Sequence, residues 1–144
     1  MRQFVAMGVL VASLLSWPST VGDRQSVMQG RTVRAITFIH SAEVEYFSVY
    51  GRWGQLQDLG RNGAGRISNE LAIGRSGPYD ITLDVSKDGY KIYAVPRYSQ
   101  CRGCRAFYSD QSMTVRMSRG SEIASSSSPM LGTFRARAGS PMSR

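Results

Sequence analysis

Hydrophobic and polar positions along this chain change period, from near 3.6 residues to two. Across residues 23–50, Met28, Ala35, Ile39, Ala42, Tyr46 and Val49 recur at alternating three- and four-residue steps, with Thr32 the one polar member. Val33, Ile36 and Phe47 widen the stripe, and Glu43 and Glu45 lie off it. This spacing predicts one apolar face of a long helix. Asp23 has the chemistry of an N-cap, and Gly51 is a natural C-terminal stop. Gly30 weakens the early turns by up to about 1 kcal/mol. At 1.5 Å per residue such a helix is roughly 40 Å long. A one-sided apolar face of that length needs a surface laid against it.

Residues 52–65 read as a loop, 67–73 as a short helical turn and 74–78 as a second loop. The period then becomes two. Tyr79, Ile81, Leu83 and Val85 alternate with Asp80, Thr82, Asp84 and Ser86, as in a half-buried strand. Lys87-Asp88-Gly89 predicts a tight hairpin, on the ground that Gly tolerates positive φ, and residues 90–96 return as the partner strand. Residues 105–109 and 113–117 form another strand pair around Asp110-Gln111-Ser112. The fold class is α+β: a long N-terminal helix packed against an antiparallel sheet of about four strands. Ile36, Ile39, Tyr46 and Phe47 would meet Ile81, Leu83, Val85, Ile92 and Ala94 in the core.

The ends differ from the middle. Met1-Arg2-Gln3 is basic, residues 4–17 carry no charge, and small residues follow. That pattern predicts a secretory signal peptide over 1–22; a buried helix and an uncleaved anchor are the other readings. The apolar run of fourteen residues is short beside the ~20 that usually span a bilayer. The domain would occupy 23–120. From 121 to 144 a serine run and scattered Arg predict a disordered basic tail. The expected location is secreted, periplasmic or cell-surface, with membrane contact only through an uncleaved N-terminal segment.

Charge narrows the chemistry. The 144 residues carry 18 basic and 10 acidic side chains, net +8, and 16 of the basic ones are Arg. Residues 101–144 hold seven Arg and two acids, so five of the eight net charges lie there. Arg102, Arg105, Arg116 and Arg119, interleaved with Tyr98, Phe107 and Tyr108, form a candidate patch for DNA or another anionic polymer. Two Cys and one His cannot make a four-ligand structural zinc site. Cys101-Arg102-Gly103-Cys104 joins two predicted strands. A structural disulfide closing a hairpin-like loop is therefore preferred to a redox dithiol, which usually sits at a helix N-terminus. On the chain-entropy model so short a loop gains only about 2 kcal/mol, so the bridge is expected to shape the loop more than hold the fold. His40 is one general-base candidate, beside Glu43 or Ser41 at helical spacing, but a partly exposed helix histidine is preferred. Asp80, Asp84 and Asp88 read as a solvated face rather than a calcium site. Neither catalytic residues nor a cofactor or metal are expected.

Several stretches stand in a recognisable order. Ala42-Glu43-Val44-Glu45-Tyr46-Phe47-Ser48-Val49-Tyr50-Gly51 leads to Leu56-x-x-Leu59-Gly60. Ile67-Ser68-x-Glu70-Leu71-Ala72 and Ser76-Gly77-x-Tyr79-x-Ile81 come next. Asp88-Gly89-Tyr90-x-x-x-Ala94-x-Pro96 and Arg105-Ala106-Phe107-Tyr108-Ser109-Asp110-Gln111-Ser112 complete the series. Over about residues 31–117 this resembles the globular part of a bacterial type IV pilin. The resemblance implies a helical spine crossed by an antiparallel sheet. It also implies a non-enzymatic structural or adhesive role in a pilus, pseudopilus or related assembly, with other pilin-like subunits as partners. It departs from that family in two places. Residues 4–17 lack the prepilin cleavage motif and its glutamate, and Met113 stands where the family usually turns with Gly.

Overall fold

The computed structural model describes residues 20–131, with side chains from Arg24 onward. Most of the expected signal peptide (1–19) and the end of the expected tail (132–144) lie outside the described residues. Helix α1 spans Thr20–Tyr50, 31 residues. It begins before Asp23, which lies inside the helix rather than capping it. Gly30 does not interrupt it, and Gly51 ends it with φ 67° and an N–H bond to the Phe47 carbonyl at 2.8 Å. Two short helices follow, α2 (Leu56–Leu59) and α3 (Asn69–Ala72). Ser68 caps α3 by accepting the Leu71 N–H at 3.3 Å. The segment read as a plain loop over 52–65 therefore contains α2.

The sheet has five strands, not four: β1 (Arg75–Ser76), β2 (Tyr79–Ser86), β3 (Gly89–Pro96), β4 (Phe107–Asp110) and β5 (Arg116–Met117). They form an antiparallel meander in chain order. β1 is the addition, inside the expected 74–78 loop. The β2–β3 hairpin pairs Ser86 with Gly89, leaving Lys87-Asp88 as the turn. Gly89 opens β3 and is not among the positive-φ glycines, so the hairpin forms where expected but not for the expected reason. Among the described residues the one non-glycine at positive φ is Met113, φ 61°, at the β4–β5 turn.

One face of the sheet receives α1. Ile36, Ile39, Tyr79, Ile92 and Ala94 are fully buried there, and Ala35, Ala42, Tyr46, Ile81 and Leu83 nearly so. Val85 is half-buried at the rim. Val49 and Phe47 were expected in this seam; Val49 is exposed, and Phe47 lies at its edge, stacked on Trp53 at 4.4 Å between ring centres. The opposite face carries a smaller cluster of Ala106, Tyr108 and Ala124, with Tyr93 against it.

Residues 121–131 belong to the fold, contrary to the expected disorder. Ser118 exchanges bonds with Ala106, its N–H to the Ala106 carbonyl and its Oγ accepting the Ala106 N–H, both at 3.0 Å. Ala124 packs on the outer face. The chain then runs antiparallel to β5. Met117 N–H bonds the Pro129 carbonyl at 3.0 Å and Leu131 N–H the Val115 carbonyl at 2.9 Å. This covers a strand edge that would otherwise expose unpaired backbone groups.

Fully burying each large apolar side chain of the α1 seam contributes roughly 1.5–3 kcal/mol. Ile39 sits at its centre with no exposed surface. Ile39→Asp is expected to abolish cooperative unfolding, read by circular dichroism against temperature; a retained sharp melt would refute this packing.

Candidate functional site

Three polar side chains of α1 face the sheet: Thr32, His40 and Glu43, all buried. Thr32 satisfies itself by donating to the Met28 carbonyl at 3.0 Å. His40, expected to be partly exposed, instead bridges two strands. Its Nδ1 lies 2.7 Å from the Tyr90 hydroxyl on β3 and its Nε2 2.8 Å from Ser109 Oγ on β4. Ser109 Oγ in turn donates to the Thr114 carbonyl at 3.0 Å. One arrangement of protons satisfies every group: Tyr90 donates to Nδ1, Nε2–H donates to Ser109, and Ser109 donates to Thr114. It requires neutral imidazole. Burial lowers the His40 pKa in that direction, although the Asp110 charge opposes it. Burial, then the charges of Glu43 and Asp110, push the Tyr90 phenol up to about 12, so it remains a donor.

Glu43, which the stripe leaves aside, has no exposed surface at all. Its Oε2 accepts the Gly54 N–H at 2.9 Å, and its Oε1 has no hydrogen-bond partner among the described residues. Gly54 gives close room where the loop returns over the helix: a Cβ there would stand 3.1 Å from the Tyr46 ring and 3.2 Å from Leu59, so those side chains would have to give way slightly. Trp53 covers the site edge-on to Tyr90, ring centres 4.9 Å apart. Burial raises the Glu43 carboxyl to about 7, against the lowering effect of the Gly54 bond, and the Asp58 charge adds to the rise. The spacing 36-40-43-47 was available in the sequence, but Glu43 was read as lying off the stripe and His40 as partly exposed.

The sites expected from the sequence involve other residues. Cys101 and Cys104 form a disulfide, Cα–Cα 5.5 Å, and both residues are buried in the main core. The loop between them touches the start of the helix, where Gln25 Nε2 donates to the Gly103 carbonyl at 2.5 Å. The bridge thus sits in the core as well as shaping its loop.

The four arginines are not equivalent. Arg102 and Arg119 are exposed. Arg105 is half-buried and reaches the Ser118 carbonyl at 3.5 Å, and Arg116 donates to the Ser128 carbonyl at 2.8 Å. Each of these two also has an acid nearby. Hydrogen bonds from its own backbone N–H and that of Arg119 hold the Glu122 carboxyl below its ordinary range, and Arg105 adds to this. Burial would raise the Asp110 carboxyl, but bonds from Ser112 and Tyr108 and the charge of Arg116 leave it lowered. Of the interleaved aromatics, Phe107 and Tyr108 are buried and cannot stack on a base; Tyr98 is exposed, its hydroxyl bonded to the Ser121 carbonyl at 2.9 Å. Asp80 pairs with Arg97 at 2.9 Å, and Asp84 and Asp88 are exposed. Among the described residues, no three His, Cys, Asp or Glu side chains group as metal ligands, and no helix is long and apolar enough to cross a membrane.

The sequence matches no protein-family model, and comparison with curated proteins and with solved structures gives no significant match.

The buried acid and base make opposed contributions to stability. Between pH 4.5 and about 7, folded Glu43 holds a proton that the unfolded chain has lost, so stability falls as pH rises through that window, by on the order of 3 kcal/mol. The contribution of neutral His40 is complete above 6.5 and is lost as pH falls below it. Glu43→Gln keeps an acceptor for Gly54 and removes the first effect. Its melting temperature is expected to exceed that of the wild type above pH 7, with the difference shrinking towards pH 4.5. Parallel melting curves for the two proteins across this range would refute the assignment.

Proposed function

We propose that this protein is a non-enzymatic, pilin-like structural or adhesive subunit that works outside the cytoplasm in a surface assembly. The observation that supports this reading is α1, Thr20–Tyr50, laid by one flank across a sequential antiparallel meander while its other flank stays uncovered. A single small domain does not need so long a helix; a subunit that presents it to others does. The buried disulfide agrees with an oxidising compartment. The basic, then apolar start of the chain agrees with export. The protein, followed by antibody in its own cells, is expected in the surface fraction released by shearing, with an N-terminus near residue 23. Recovery solely in the cytosol with Met1 intact would overturn the reading.

A second reading, binding of DNA or an acidic surface polymer, draws on the charge of residues 101–144 and on the exposure of Arg102 and Arg119. Arg105 and Arg116 are engaged with backbone carbonyls and face acids, so few cations are left for phosphates. Affinity per phosphate contact falls steeply with salt. Retention on heparin at low salt is expected to be weak, and Arg102→Ala with Arg119→Ala is expected to abolish it. Undiminished retention of that variant would remove this patch as the site.

A further inference from the structure

The uncovered flank of α1 has a pattern of its own. Val27, Phe38 and Val49 are 70%, 56% and 64% exposed and follow one another at eleven-residue intervals. Eleven residues make three helical turns with little angular drift, so the three lie in one line along the helix. Arg31, Arg34 and Glu45 share that flank and are exposed. Two pairs in the line are symmetric about Phe38, while Arg34 is unmatched because its counterpart, Ala42, is buried in the core. Val27 and Val49 lie eleven residues to either side of it, and Arg31 and Glu45 seven residues to either side.

From this arrangement we infer that α1 pairs with α1 of a second copy of this chain, antiparallel, about a two-fold axis at Phe38. The inference does not depend on the pilin-like reading. In an antiparallel pair centred there, the residue k places before Phe38 faces the residue k places after it in the other copy. Phe38 meets Phe38, Val27 meets Val49, and Arg31 meets Glu45, each twice. Such an interface is isologous and closes at two subunits. The apolar contacts fall at the centre and the two ends, with an ion pair between them on each side. The contact runs roughly 33 Å along the helix at 1.5 Å per residue. A parallel pairing in register would instead set Arg31 against Arg31 and Arg34 against Arg34, so charge selects the antiparallel one.

Both charges have partners within the monomer: Arg31 pairs with Glu70 at 3.5 Å, and Glu45 pairs with Arg66. All four side chains are about half exposed, and exposed pairs of this kind hold little. Exchanging them across the two-fold is therefore not opposed by the fold. One helix strip is a small contact beside a standard interface of about 800 Å² per partner, so the dimer is weak and dependent on concentration.

Sedimentation equilibrium on the full chain, over a range of concentrations, tests this. Wild type is expected to shift towards the mass of a dimer as concentration rises. Arg31→Glu and Glu45→Arg are each expected to weaken association at least tenfold. An equimolar mixture of the two is expected to restore it, because one copy then carries two acids and the other two bases at the facing positions. The double variant Arg31→Glu/Glu45→Arg is expected to restore a homodimer, which separates loss of contact from loss of fold. Wild type that stays monomeric, single variants that associate as wild type does, or a mixture and double variant that both stay monomeric would each overturn the inference.

Discussion

A helix that buries a histidine and a glutamate against a sheet must give each a partner, because a buried polar group left unpaired costs far more than a satisfied one gains. That constraint sets how α1 sits on the sheet. His40 takes one partner from β3 and one from β4, at 2.7 and 2.8 Å. Apolar contacts alone would tolerate small rotations and slides of the helix, since Ile, Leu and Ala surfaces are nearly interchangeable at this level. A doubly bonded imidazole does not. It demands Tyr90 and Ser109 at once, on neighbouring strands whose register places Ile92 opposite Ser109. Slipping that register by one residue would turn Ser109 to the other face. The hydrogen-bond chain from Tyr90 to the Thr114 carbonyl thus fixes the helix, β3, β4 and the turn that follows β4 in one arrangement. Glu43 does the same for the loop after the helix, through Gly54, with its other oxygen lacking a partner among the described residues and its pKa raised by burial.

How far this was legible follows from where the periodicity is strong. The β2–β3 hairpin was readable almost to the residue because four apolar positions alternate with four polar ones before Lys87-Asp88-Gly89. The helix was readable because its stripe persists for several turns. The stripe failed at its C-terminal end, where Val49 runs beyond the sheet's cover and Phe47 finds Trp53 instead. The helices and strands that were missed are very short. Four residues of α2 and two of β1 have too little length to show a period; they exist because neighbouring segments supply their hydrogen bonds. Glu43 was placed off the stripe and His40 at a partly exposed position on the helix, whereas both are buried. Nothing in the letters His and Glu says that a tyrosine 50 residues later and a glycine 11 residues later will satisfy them.

The segment after β5 was misread because composition stood in for contacts. Serine and proline supply little hydrophobic surface, and a run of them reads as disorder. Here the backbone does the work that side chains do elsewhere. Two ladder bonds tie 129–131 to the β5 side of the sheet, and a small residue, Ala124, is buried against Ala106 and Tyr108. The same fold-back takes up two of the arginines that looked free in sequence, since Arg105 and Arg116 bond the carbonyls of Ser118 and Ser128. A basic patch inferred from a count of charges overlooks this, because a guanidinium engaged with backbone oxygens beside an acid presents far less field to a distant anion.

The two flanks of α1 therefore follow different rules. The inner one is specified by polar bonds within an apolar seam and admits one docking. The outer one carries its apolar residues singly, spaced by charges, and leaves them in water. Phe38, midway along the helix, is 56% exposed. A two-fold pair about Phe38 and a side-by-side packing with all helices pointing one way would use this same flank, and only one of them can occupy it at a time. The charge order distinguishes them within a pair of identical chains: Arg31 and Arg34 lie before Phe38 and Glu45 after it, so without an axial shift opposite signs meet only when the helices run in opposite directions. A same-direction assembly built on this flank would need either an axial shift of about half the helix, bringing Glu45 of one copy beside Arg31 of the next, or a different subunit with the complementary order. A same-direction assembly on this flank would compete with the two-fold pair for a single surface, and the better match to three spaced apolar residues and the charges between them would decide the outcome.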